Sequence, residues 1–194
     1  MRWAGVVVAG AFLGVACSVV VGDPRPQVFR AESSSAIYEA IVSREVDPEP
    51  LAVGEVFGKD TLSFGAVQMK RGQSFVSGNC AEAVWGSPPL QGCTQVLRAV
   101  YSADGVSGLF AIFNLADSGA ADRLVQAFKK DAFLKLAPGQ PVIAGGSAQG
   151  RALGHYAVVS WVAAVGDEKP DLTDPLLAVD SVSQFLQTRL LKAG

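Results

Sequence analysis

The run TQVLRAVYS (Thr94–Ser102), carried through Ala103-Asp104-Gly105 to GLFAIFNL (Gly108–Leu115), is the clearest structural signal in this chain. Both segments are rich in β-branched and aromatic residues, and Asp-Gly between two such runs is a hairpin signature. A helix follows. Asp117-Ser118 supplies its cap, and Ala121, Leu124, Val125 and Phe128 recur at i, i+3, i+4 and i+7 while Asp122, Arg123, Gln126 and Lys129 face away. That spacing lays an amphipathic helix over one side of the hairpin. Leu153–Val165 (LGHYAVVSWVAAV) reads as a further long strand, and Asp174-Pro175 opens a carboxy-terminal helix to about Leu191. The class expected is α+β, a mainly antiparallel sheet packed against helices.

Both faces of these strands are apolar. Leu109, Ala111, Phe113 and Leu115 share one face of their strand and Phe110 and Ile112 the other; Ala157, Val159 and Trp161 oppose Tyr156, Val158 and Val162. One face of an antiparallel sheet is commonly solvated, so a second cover is required. The nearest source is residues 51–78, which would bring Phe64, Val67 and Phe75 onto Phe110, Ile112 and Val158.

Outward from this centre the signals are local. Thr61–Met69 reads as a strand, 70–73 as a turn and Ser74–Ser77 as its partner. Cys80–Gly86 is one or two helical turns stopped at Gly86. Pro138–Gly150 is turn-rich, with a short strand at Val142-Ile143, and its glycines match neither a Walker loop nor a dinucleotide fingerprint. Ser33–Ser35 caps a short helix of about 36–45, which Asp47-Pro48-Glu49-Pro50 ends.

At the amino terminus Met1-Arg2-Trp3 precedes nineteen uncharged residues, Ala4–Gly22. The length fits the ~20 residues that span a bilayer core, with Arg2 as the inside-positive flank. Cleavage after Gly14-Val15-Ala16 would instead expose Cys17, the layout of a secretory signal or a lipoprotein. The unbroken continuation through Ser18-Val19-Val20-Val21 favours retention. The organisation expected is therefore a signal anchor or transmembrane helix at 1–22, a stalk with a short helix at 23–50, and an extracytoplasmic domain at 51–194. The localisation that follows is a single-pass cell-membrane protein whose carboxy-terminal domain lies outside the cytoplasm.

Residues 23–194 carry 15 basic and 18 acidic side chains, a formal charge of −3 that excludes the basic footprint of a nucleic-acid binder. Cys80 and Cys93 are an even pair at loop-closing spacing in an exported segment, so a disulfide is expected. With His155 the only histidine, no metal site and no cofactor motif is recognised. No G-x-S-x-G elbow accompanies His155, which reads as a hydrogen-bonded histidine at a strand start. Arg98, flanked by Leu97 and Ala99, is expected to pair with a carboxylate such as Glu82 or to offer an anion site. Trp85 and Trp161 read as core residues.

The string Gly78-Asn79-Cys80-Ala81-Glu82-Ala83-Val84-Trp85-Gly86, then Gly92-Cys93 and Arg98-Ala99-Val100-Tyr101, with Gly154-His155-Tyr156 later, resembles an actinobacterial family of exported or membrane-anchored domains of unassigned function. The resemblance covers about residues 53–190. It implies an extracytoplasmic α+β domain with a Cys80 to Cys93 bridge, and no catalytic residues.

The function expected is a membrane-anchored, non-enzymatic extracytoplasmic domain that binds a protein at the cell surface or a small ligand, with Arg98, His155 and Tyr156 as candidate binding residues and the membrane itself as a partner through the amino-terminal helix. An envelope hydrolase built on His155 and an accessory subunit of a membrane complex are the alternatives. An apolar cavity, a hydroxyl-histidine-carboxylate cleft or a wide apolar patch would separate the three.

Overall fold

The computed structural model describes residues 24–136, 144–167 and 169–193. The apolar run Ala4–Gly22 and the strand expected at Val142-Ile143 lie outside the described residues, and within them no helix is long and apolar enough to cross a membrane. In chain order the strands are β1 (Val28–Glu32), β2 (Thr61–Phe64), β3 (Val67–Ser77), β4 (Val84–Trp85), β5 (Gln95–Ala103), β6 (Val106–Asn114), β7 (Phe133–Leu134), β8 (Ser147–Leu153) and β9 (Tyr156–Ala164). The helices are α1 (Val53–Val56), α2 (Ser118–Phe128), α3 (Thr173–Asp180) and α4 (Leu186–Ala193), with 3-10 turns at Ala36–Ile41, Cys80–Ala83 and Ser181–Phe185. Seven strands form one sheet in the order β1-β8-β9-β6-β5-β3-β2. Every pairing is antiparallel except β1 with β8. The α+β class is as expected.

The β5/β6 hairpin forms with Ala103 opposite Val106, leaving Asp104-Gly105 as a two-residue loop. Asp117 caps α2, its Oδ1 accepting from the Ala120 amide at 2.7 Å. Helix α2 buries Ala121, Leu124, Val125 and Phe128 on the face carrying Leu109, Ala111, Phe113, Val159 and Trp161. Phe133 joins this layer edge-on to Phe29, Phe128 and Trp161, with ring centroids 5.6, 5.8 and 5.2 Å away.

The opposite face, with Leu97, Tyr101, Phe110, Ile112, Tyr156 and Val158, is also buried, and residues 51–78 supply only part of its cover. Residues 61–77 extend the sheet itself as β2 and β3, so they cannot also lie across it. The cover comes from α3, the Ser181–Phe185 turn and α4, with Val179, Val182 and Leu186 buried there, and from Leu51, Val56 and Phe57. Phe57 meets Phe110 edge-on at 6.1 Å. Of the three residues expected on this face, Val67 packs at its margin, Phe64 is 44 % exposed, and Phe75 lies opposite Arg98 on the other face.

Other boundaries move for local reasons. The β2/β3 turn falls at Gly65-Ala66, where Gly65 adopts φ +55°, and 70–73 is instead an irregularity within β3. Cys80–Gly86 is a single 3-10 turn running into β4. The helix expected at about 36–45 is the shorter 3-10 turn Ala36–Ile41, and the carboxy-terminal helix is broken into α3, a 3-10 turn and α4. Leu153 ends β8, a strand whose first half had read as turn.

Residues 24–50 are bonded into the domain rather than free of it. Gly145 N–H donates to the Arg25 carbonyl at 2.7 Å, β1 pairs with β8, and Arg44 Nη1 donates to the carbonyls of Gly92 and Leu115 at 2.6 and 3.1 Å. Leu51 and the Gln95 side-chain amide exchange two hydrogen bonds of 2.9 Å.

Candidate functional site

Cys80 and Cys93 are bridged, with Cα atoms 6.3 Å apart, pinning the β4 segment beside the α2 layer. Arg98 points to this same layer. Its guanidinium lies 5.9 Å from the Phe75 ring centroid, and Nη1 donates to the Lys135 carbonyl. The pairing expected with Glu82 is not an ion pair, because that carboxylate is taken by Ser77 Oγ at 3.0 Å and Asn79 Nδ2 at 3.2 Å. Burial holds the Arg98 guanidinium below its ordinary value, and the charge of Glu82 opposes this only in part.

Tyr156 lies on the other side of the sheet and His155 in the turn before it, so the structure does not bring them together with Arg98. His155 is fully buried at the β8/β9 turn. Its backbone N–H and its Nδ1 both meet the Ile41 carbonyl at 2.9 Å, which fixes the Nδ1–H tautomer. Gly154 makes this approach feasible, since at φ +62° an added Cβ would collide with the same carbonyl. Nε2 is buried without a partner among the described residues. Burial therefore lowers the imidazole below 6.5, partly offset by the bond to Ile41. No hydroxyl or carboxylate among the described residues is hydrogen-bonded to this ring, so the relay of a serine hydrolase is not assembled around it.

Tyr156 belongs to a buried polar cluster centred on Arg189. Arg189 donates through Nε and Nη2 to the two oxygens of Glu55 at 2.8 Å each, and through Nη1 to Asp47 Oδ1 at 2.7 Å and to the Glu49 carbonyl at 2.8 Å. Tyr156 donates its hydroxyl to Asp47 Oδ2 at 2.7 Å and accepts from Arg189 Nη1 at 3.1 Å. Burial works against the Arg189 charge, but the bonds to Glu55 and the nearby negative groups raise the guanidinium above its ordinary value. The hydrogen bonds from Arg189 likewise hold Glu55 below 4.5 despite its burial. Burial, then the bond to Asp47, raises the Tyr156 hydroxyl. The cluster straps α4 to residues 47–55. Sequence reading missed it, although Arg189 at i+3 from Leu186, on the buried stripe of the last helix, was the available signal.

Beside this strap lies a cavity of about 310 Å³ between the sheet and its helical cover. Val56, Leu62, Val182 and Phe185 supply apolar wall, Ser181 and Gln184 line one side, and Glu55 and Lys59 are its charged residues. Glu55 is already engaged by Arg189; Lys59 has no ion-pair partner among the described residues. Tyr101 forms part of the wall, and its hydroxyl makes no hydrogen bond among the described residues. Burial pushes that hydroxyl up to about 12, with the Arg71 charge opposing the shift and the Asp60 charge adding to it, so it remains a neutral donor. A cavity of this size and lining can hold a small, largely apolar molecule. The described residues contain no group of three or more His, Cys, Asp or Glu suited to a metal ion.

No protein-family model, curated protein or solved structure matches the chain.

Proposed function

We propose that this chain is a non-enzymatic binding domain held on the outer side of a cell membrane by its amino-terminal apolar run, and that it takes a small, mainly apolar ligand between α1, β2, β5 and the Ser181–Phe185 turn. The observation that carries the reading is the cavity of about 310 Å³, walled by Val56, Leu62, Val182 and Phe185 and lined also by Tyr101, whose buried hydroxyl has no partner among the described residues. A buried hydroxyl left without a partner costs about 1–3 kcal/mol, so a ligand or ordered water that satisfies it is favoured. His155, sealed from solvent and tied to a backbone carbonyl, weighs against the hydrolase. The Cys80 to Cys93 bridge fits an oxidising compartment, and the resemblance to actinobacterial exported domains belongs to this same proposal.

The test uses the full-length chain in lipid nanodiscs, with indole and benzoate as probes read by saturation-transfer NMR against empty nanodiscs. Saturable transfer that disappears in Leu62→Trp, a substitution that fills the cavity, is the expected result. Equal transfer in both forms, or none in either, would contradict the proposed ligand site.

A further inference from the structure

From Arg25 onward the chain is tied to the domain. Gly145 N–H donates to the Arg25 carbonyl at 2.7 Å, and Gln27 N–H donates to the Gly146 carbonyl at 2.9 Å. Only Asp23 and Pro24 separate Arg25 from Gly22, the end of the apolar run, so the two Cα atoms can stand no more than about 11 Å apart at full extension. If that run is an anchor, the end of the domain carrying Arg25 cannot leave the headgroup region. Its surface chemistry suits that position. The Arg25 guanidinium lies 4.3 Å from the Trp85 ring centroid, and its Nη1 donates to the Lys130 carbonyl at 2.9 Å. Lys129 and Lys130 are exposed where α2 ends, and against these three cations the acids adjoining in sequence are Asp131 and Asp23. The acidic side chains Asp104 and Asp167 lie by the β5/β6 loop, at the same strand end as Arg25 but displaced sideways from β1 by β8 and β9.

We infer that the surface formed by Arg25, Trp85, Lys129 and Lys130 seats the domain on a bilayer carrying anionic lipid headgroups. The inference rests on the anchor reading above. Cations within a Debye length of an anionic surface are drawn to it, and a partly buried tryptophan is suited to the interface. The domain is thereby held in one orientation, with its β1 edge beside Arg25 against the membrane and the β5/β6 loop displaced from it.

The test places the full-length chain in vesicles of phosphatidylcholine with and without phosphatidylglycerol, and labels lysines with an impermeant amine reagent read by mass spectrometry. Lys59 and Lys70, exposed near the opposite edge of the sheet, are internal references. Lys129 and Lys130 should label several-fold more slowly than the references when phosphatidylglycerol is present, and the difference should shrink as salt is raised. Labelling of all four lysines at equal rates, with the chain still resistant to alkaline carbonate extraction, overturns the seating surface alone. Release of the chain by carbonate overturns the anchor reading and the seating surface with it.

Discussion

Arg189 is the residue on which the helical cover depends most. Removing one partner of a buried ion pair leaves the other charges uncompensated, at a cost of about 3–5 kcal/mol. Arg189→Met, which keeps the length of the side chain but strands Asp47 and Glu55, is therefore expected to destabilise the protein by that amount in urea denaturation. A loss below about 1 kcal/mol would mean that the cluster contributes little. His155 makes a different prediction, because its folded-state value lies below 6.5. The unfolded chain then binds the proton first, so the contribution of this residue is complete above about pH 6.5 and is lost as the pH falls below it. Glu55, held below 4.5 by Arg189, adds a second loss at still lower pH. Melting temperature should fall on acidification in these two stages, and His155→Asn should remove the first while leaving the second. An unchanged profile in the variant would show that the imidazole is not the titrating group. Neither role was written in the sequence neighbourhood. Arg189 finds Asp47 across 142 positions, and His155 finds Ile41 across 114.

Elements defined by their own periodicity were legible, and those defined by a distant partner were not. Asp117 with Ala121, Leu124, Val125 and Phe128 was enough to place α2 and its buried side, because cap and stripe are local signals. The β5/β6 hairpin was legible for the same reason, its loop residues lying between two β-rich runs. By contrast β1 is short, carries the charges of Arg30 and Glu32, and alternates exposed with half-buried positions, so it gains its structure only from pairing with β8. The break of the last helix at Ser181–Phe185 answers to the sheet beneath it, where Val182 packs. The bridge between Cys80 and Cys93 was legible by count and spacing. Closing this short loop should stabilise the domain by ~3 kcal/mol in the chain-entropy model. Cys80→Ala with Cys93→Ala should lower the unfolding free energy by about that much while retaining the far-ultraviolet circular dichroism of the parent. A shift under about 1 kcal/mol would show that the packing of β4 against β7 holds the segment without the bridge.

At the scale of the molecule, the doubly apolar sheet correctly announced a second covering layer but only part of its origin, since Leu51, Val56 and Phe57 cover it together with the carboxy-terminal helices. Alternation along β6 and β9 reports burial on both faces, whereas the identity of the cover depends on which segment returns over the sheet. The cavity is a product of that return, formed where the Ser181–Phe185 turn and α1 meet β2 and β5, so no local motif encodes it. Arg98, His155 and Tyr156, singled out for their chemistry, are engaged by the Lys135 carbonyl, the Ile41 carbonyl and Asp47, partners that no local motif announces. The proposed role turns on where the domain sits, since the seating surface needs an anchored chain and the bridge suits an outward-facing one. Protease added to intact spheroplasts tests that most directly, with an amino-terminal tag marking the anchor and an antibody against the carboxy-terminal domain. The account predicts loss of the domain signal while the tagged fragment stays in the membrane pellet. A domain that survives until the membrane is breached, or a soluble chain whose sequence starts near residue 17 or 23, would contradict it.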